Sequence, residues 1–152
     1  MGVCALVLVI WWAMRTSNAP TPPVIPFGPG DTLRAQVLGV IDGTTIQVDL
    51  RGGHEPIRYL GIAPLGPQAT AVNRQLVQGQ QVGVELDTPL RDGDGHLLAY
   101  VYVGGLLVNA ELVRQGYARV NPDPPRGKHV HVFQQLQQEA REAERGLWGA
   151  PE

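Results

Sequence analysis

The chain reads as an α+β domain, mainly β, in which five strands form a small barrel and three helices pack around it. Runs of alternating apolar and polar residues predict the strands, in two groups spanning 33–62 and 82–103. Gly- and Asp-containing turns punctuate them, and helix-period stripes fall only after the third and fifth runs.

Leu33 to Ile41 alternates loosely and stops at the Asp42-Gly43 turn. Thr45 to Leu50, Thr-Ile-Gln-Val-Asp-Leu, is a clean period-two strand. Arg51-Gly52-Gly53-His54 makes a hairpin loop, and a third strand runs from Pro56 to Ile62. Pro67 to Gln78 carries Ala71, Val72, Leu76 and Val77 on a helical stripe, with Pro67 suited to the first turn and Gly79 to the stop. Val82–Leu86 and Leu97–Val103 are the remaining strands, separated by the polar loop Arg91-Asp92-Gly93-Asp94-Gly95-His96. A short helix over Asn109–Gln115 ends at Gly116. A last one over His129–Arg145 aligns Phe133, Leu136, Ala140 and Ala143, and Leu147 and Trp148 fold back as a plug. This order of elements suggests a Greek-key barrel of the OB type over residues 32–149.

Ahead of the barrel lie two segments of different composition. Gly2 to Met14 is an unbroken apolar run that would span roughly 20 Å as a helix, short of the roughly 30 Å hydrocarbon core. Residues 1–15 therefore suit an export signal or membrane anchor, with Trp11 and Trp12 at the interface; a helix packed on the domain is the alternative. Residues 16–31 form a linker that five prolines keep extended. A membrane-anchored or secreted protein is expected.

With 152 residues, 43% of them hydrophobic, the chain holds one domain with a real core plus this appendage. A formal charge of −2 argues against a general nucleic-acid binder and leaves only local basic patches. Cys4 is the single cysteine, so no intrachain disulfide forms.

Several stretches resemble the staphylococcal nuclease-like, or thermonuclease, domain. They are Val37 to Ile46, Ile57 to Ile62, Asp92 to Val103 with Leu98-Ala99-Tyr100-Val101, Val108 to Ala118, and Glu144-Arg145-Gly146-Leu147-Trp148. No one motif is decisive, but the ordered set from Arg34 to Trp148 is specific. The resemblance implies an OB barrel and a Ca²⁺-dependent phosphodiesterase of DNA and RNA. Such an enzyme holds the ion on two Asp side chains and a backbone carbonyl, activates water with a Glu, and steadies the phosphate with two Arg.

Carried onto this chain, that site is depleted. The family's Asp-Gly-Asp-Thr is Asp42-Gly43-Thr44-Thr45, which puts Thr44 in place of the first metal carboxylate. Ala63 replaces the second, and either Leu65 or Gly66 replaces the Glu, depending on a one-residue gap. No acid occurs between Glu55 and Glu85. The first arginine is retained as Arg58, while His96 stands for the second and lacks its bidentate fork. The region of the nucleotide-pocket tyrosines reads Asn121-Pro122-Asp123-Pro124-Pro125. Hard cations depend on negative oxygen ligands, and loss of a base typically costs about 10²–10⁴-fold.

Other polar groups have plainer readings. Asp92-Gly93-Asp94-Gly95 hints at a calcium loop, but its twelfth position is Val103, so a surface turn is expected. His129 and His131, two apart at a helix start, point roughly 200° apart and read as solvated. Arg58 reads as a phosphate anchor or as an ion-pair residue with Glu55, Asp42 or Asp49. Arg119, Arg126 and Lys128 form a loose basic cluster that offers polyanion contact or an ordinary solvated face. Glu139 to Arg145 suggests pairing along a helix surface.

These residues point to a catalytically inactive domain, needing no cofactor, that presents its groove to an unknown protein or weakly to single-stranded nucleic acid. In that reading Arg58 and His96 are vestigial catalytic positions, and Arg58, Arg119 and Lys128 are ligand contacts. The alternative is an active metal-dependent nuclease with a rearranged site built from Asp42, Asp49, Asp92 or Asp94, with Ca²⁺ as its cofactor. A purely structural domain is the third reading.

Overall fold

Alternation of side chains along each strand puts one apolar row inside and leaves the other row to solvent or to the helices. The computed structural model describes residues 30–121 and 127–149. The apolar segment 1–15 and the proline-rich linker up to residue 29 lie outside them. Strand β1 (Thr32–Asp42) buries Leu33, Ala35 and Val37, and β2 (Thr45–Leu50) buries Ile46, Val48 and Leu50. Strand β3 (Gly53–Tyr59) adds Ile57 and Tyr59, and β5 (Gln81–Arg91) adds Val82, Val84 and Leu86. Strand β6 (Leu97–Val103) adds Leu97, Ala99, Tyr100 and Val101.

Strands β3, β2, β1, β5 and β6 follow one another as antiparallel neighbours, and β3 then pairs in parallel with β6 to close the barrel. This is the expected α+β, five-stranded OB-type barrel. Closure sets Ile57 against Leu97, Arg58 against Leu98 and Tyr59 against Ala99. Three helices cover the barrel: α1 (Gln68–Val77), α2 (Val108–Arg114) and α3 (Val130–Glu142). Phe133 of α3 is fully buried in the shared core. A 3₁₀ turn at Gly146–Trp148 docks as the expected plug, with Leu147 N–H on the Gly116 carbonyl at 3.0 Å and the Arg141 guanidinium 4.4 Å over the Trp148 ring.

The elements depart from the sequence expectation in a few places. The third strand does not run through to Ile62. Gly61, at φ 82°, turns the chain into a separate strand β4 (Ile62–Pro64). That strand pairs with β8 (Ala118–Val120), and a further two-residue strand β7 (Leu106–Leu107) extends β6. Such short strands carry too few residues to show a period. On α1, Asn73 is buried and Ala71 is exposed; α3 ends at Glu142, leaving Ala143 exposed. The polar face of α3 is tied by Gln135 to Glu139 and Gln138 to Glu142, not by Glu–Arg pairs.

Two buried asparagines tie the helices to the barrel. Asn109 accepts from Val101 N–H at 3.0 Å and donates to the Leu60 and Ala99 carbonyls at 3.1 and 3.3 Å. Asn73 accepts from Tyr59 O–H at 2.7 Å and donates to the Asp42 carbonyl at 3.0 Å. Burial dominates the Tyr59 phenol and pushes its pKa far up, so it stays a neutral donor. Asn109 thus fastens α2 to both sides of the β3–β6 seam. Asn109→Ala should cost about 2–3 kcal/mol, because it strands buried donors and acceptors. Urea unfolding at constant slope measures this; a cost below roughly 0.5 kcal/mol would mean that water takes over these bonds.

Candidate functional site

Closure of the barrel brings Arg58 alongside the loop between β5 and β6. That loop folds around one carboxylate. Asp92 Oδ1 accepts from the N–H groups of Asp94 and His96, both at 2.9 Å, while Asp92 N–H bonds to the His96 carbonyl at 3.0 Å. Gly95, at φ 87°, supplies the left-handed residue this tight return needs. Asp92 Oδ2 lies 3.0 Å from His96 Nδ1 and 2.8 Å from the Arg58 guanidinium. A carboxylate only accepts, so Nδ1 is the protonated ring nitrogen and Nε2 is left for another partner. The Asp94 carboxylate stands 3.8 Å from Arg58 and is 74% exposed, whereas Asp92 is 14% exposed.

Burial alone would raise the Asp92 pKa. The hydrogen bonds from the His96 ring and from the His96 and Asp94 backbone, together with the Arg58 charge, outweigh it and hold the carboxyl below its usual range. Asp92, Asp94 and His96 thereby gather three potential ligand atoms within 4.8 Å of one another. The loop expected to be an ordinary surface turn is the one such grouping among the described residues.

The position that the resemblance assigns to the metal is built differently. Thr44 is 2% exposed, and its N–H and hydroxyl both bond Asp42 Oδ1, at 2.8 and 3.4 Å. Gly43 lies so close to α1 that a Cβ there would sit 2.5 Å from the Ala69 Cβ and 3.1 Å from the Pro64 Cβ. Ala63 pairs with Arg119 across β4 and β8 and has no donor atom. Asp42 Oδ1 is therefore engaged by its own turn, and among the described residues no group of three potential ligand side chains gathers there. The potential ligands that do gather are the two carboxylates and one imidazole of the 92–96 loop.

Arg58 is an ion-pair residue, but none of its expected partners is the observed one. Glu55 faces Arg91 at 3.2 and 3.3 Å, Asp49 accepts from Gly52 N–H at 2.8 Å, and Asp42 holds Thr44. A cavity of about 400 Å³ opens beside Arg58, lined by Leu60, Gly61, Arg91, Asp92 and Asn121 among others. Arg91 was not singled out by sequence. It is the last residue of β5, paired with Leu97, and only barrel closure brings it to this cavity. The loose basic cluster does not assemble there. Lys128 is ion-paired with Glu85, Arg119 is exposed on β8 outside the cavity lining, and Arg126 lies outside the described residues. His129 is not freely solvated; it packs edge-on to Tyr100 at 4.6 Å, and burial, then the nearby Lys128 charge, lowers its pKa.

The class is a closed OB-type barrel that carries an arginine, two aspartates and a histidine at one end of its seam. The chain belongs to the staphylococcal nuclease homologue family, whose model matches residues 47–150. It is 32% identical over 124 residues to the thermonuclease of Staphylococcus intermedius, covering 74% of each chain. To the thermonuclease of Staphylococcus hyicus it is 30% identical over 125 residues, again 74% of each. To the endonuclease YncB of Bacillus subtilis it is 34% identical over 122 residues, covering 71% of this chain and 58% of that one. These relatives are nucleases. Together with the Asp92–Asp94–His96 grouping they overturn the expectation of an inactive, non-enzymatic binding domain. That expectation rests on the 42–44 and 63–66 turns and takes the Asp92–Asp94 loop for a surface turn; the grouping there supports the alternative of a rearranged site.

The depressed Asp92 pKa has a measurable consequence. Asp92 binds its proton less tightly in the folded chain, so it adds stability above its unfolded pKa of about 3.9 and loses that contribution as pH falls through the lower folded value. The stability gap between wild type and Asp92→Asn should hold steady from about pH 7 to about pH 5 and shrink below about pH 4. Urea titrations across that range measure it, and a gap that stays constant down to about pH 2 would contradict this account.

Proposed function

We propose that this protein is a metal-dependent nuclease, hydrolysing phosphodiester bonds of DNA or RNA at a rearranged site on the 92–96 loop. The observation that carries this reading is the convergence of Asp92, Asp94 and His96 within 4.8 Å, with Arg58 on the same carboxylate. The nuclease relatives support the reaction class. Asp92, Asp94 and His96 would hold the cation. Two carboxylates and an imidazole suit a borderline divalent ion such as Mn²⁺ or Zn²⁺ better than Ca²⁺, which takes six to eight oxygens. When bound, such an ion supplies Lewis-acid polarisation of a phosphoryl oxygen and a more acidic water.

The chain's own residues do the rest. Arg58 carries a permanent charge and a planar fork suited to phosphate oxygens, and its placement beside Asp92 keeps it at the reacting end of the cavity. The Asp92 carboxylate orients the His96 ring by fixing Nδ1 as the protonated nitrogen. The local charge of Asp92 and Asp94 opposes binding of a phosphate until it is neutralised, so cation and substrate are expected to bind cooperatively. Residues 32–149 form the nuclease domain in this reading. The apolar run at 2–14 and the proline-rich linker support work at a membrane or outside the cell. Among the described residues, no helix is long and apolar enough to cross a membrane.

The test is to incubate the full chain with plasmid and single-stranded DNA in Mg²⁺, Mn²⁺, Zn²⁺, Ca²⁺ or chelator. Cation-dependent cutting, reduced about 10²–10³-fold by Arg58→Ala in a protein with unchanged circular dichroism, is expected. Asp94→Asn, which is exposed and structurally undemanding, should weaken cation dependence with little effect on stability. Absence of cutting with every cation would sink the proposal.

A further inference from the structure

The resemblance places the second phosphate-binding cation at His96, yet the structure commits that side chain elsewhere. Both the ring and the backbone N–H of His96 face Asp92, and His96 does not line the cavity beside Arg58. Arg91 does line it. We propose that Arg91, with Arg58, forms the two-arginine clamp that grips the phosphodiester backbone in this cavity. The inference rests on the nuclease reading above and deepens it by naming the second phosphate contact.

Three features support Arg91. It is anchored: Nη1 donates to Glu55 Oε2 at 3.2 Å and to the Gly95 carbonyl at 2.7 Å, and Nη2 donates to Glu55 Oε1 at 3.3 Å. These bonds use three of the five guanidinium N–H donors. The Nε–H and the second Nη2–H remain, and they form the side edge of the fork, a geometry that matches two phosphate oxygens. The side chain is also accessible, 44% exposed against 37% for Arg58. Anchoring by Glu55 restricts a long, rotamer-rich side chain before substrate arrives, so less entropy is lost on binding. The Gly95 contact further ties Arg91 to the loop that carries Asp92, Asp94 and His96, which couples the clamp to the candidate cation site.

The test uses the full chain in Mn²⁺, with a 5′-phosphorylated thymidine dinucleotide as probe, binding read by calorimetry, and kcat and KM read on single-stranded DNA. Arg91→Ala should weaken dinucleotide binding about tenfold or more and raise KM correspondingly. Glu55→Gln, which keeps the guanidinium but loosens its anchor, should cost clearly less. Equal losses in the two variants would mean that the pair is only a structural brace, and would overturn the proposal. So would unchanged binding in Arg91→Ala alongside wild-type cutting, an outcome that leaves the nuclease reading standing. Wild-type protein that neither cuts nor binds would sink that reading and this one together. Should Arg91→Ala fail to fold, Arg91→Lys keeps the charge without the fork; a loss of about threefold or more supports the clamp, and none overturns it.

Discussion

Parallel pairing of β3 with β6 is the contact on which the rest of the molecule depends. Without it the five strands are an open sheet with two free edges, and the apolar rows of β3 and β6 have no common interior. With it, Ile57, Tyr59, Leu97 and Ala99 meet inside and are essentially fully buried. The same register fixes Arg58 opposite Leu98, so its side chain leaves the seam toward the loop that begins at Asp92. Asn109 stitches the seam from behind through Leu60, Ala99 and Val101. Folding and site assembly are therefore one event here, because no local segment brings Arg58, Arg91 and Asp92 together.

That dependence explains what was legible in the sequence. Period-two alternation in Thr45–Leu50 and the mixed apolar run Leu97–Val103 report strands because burial on one face acts on neighbouring residues. Helix existence was equally plain; its ends and its buried face were less so, and Asn73 took the buried place expected of an apolar residue because Tyr59 O–H and the Asp42 carbonyl needed partners. The short strands β4 and β8 stayed hidden, since three residues carry no period and their pairing spans more than fifty positions of chain. Arg58 could be picked out by its place in a familiar stretch. Arg91 carries no such signal, because it reaches the cavity only when β3, β5 and β6 come together.

Thr44 and Ala63 carry no carboxylate, but activity does not follow from one pair of turns. The Gly43 turn is closely packed against Ala69 and Pro64. Across the same barrel end the acids have not vanished. Asp92 and Asp94 sit on a loop whose geometry is held by the backbone N–H groups of Asp94 and His96. A carboxylate held that way keeps its charge at low cost, and Arg58 lowers the cost further.

Electrostatics then sets how such a site must work. A chain of net charge −2 has no broad basic face to gather nucleic acid from a distance. Lys128, one of the expected ligand contacts, is ion-paired with Glu85, which also accepts from Tyr102 O–H at 3.1 Å. Binding must come from a few groups at short range, where a planar fork and a fixed orientation count for more than total charge. Around the cavity, two positive side chains, Arg58 and Arg91, face three carboxylates, Asp92, Asp94 and Glu55, so the site at rest is net negative and does not attract polyanions. In the proposed reading a divalent ion on the two aspartates would offset their charge and leave Arg58 uncompensated, while Glu55 still pairs with Arg91. In that same reading, selectivity for a phosphodiester is conditional on the cation, without any change to the barrel.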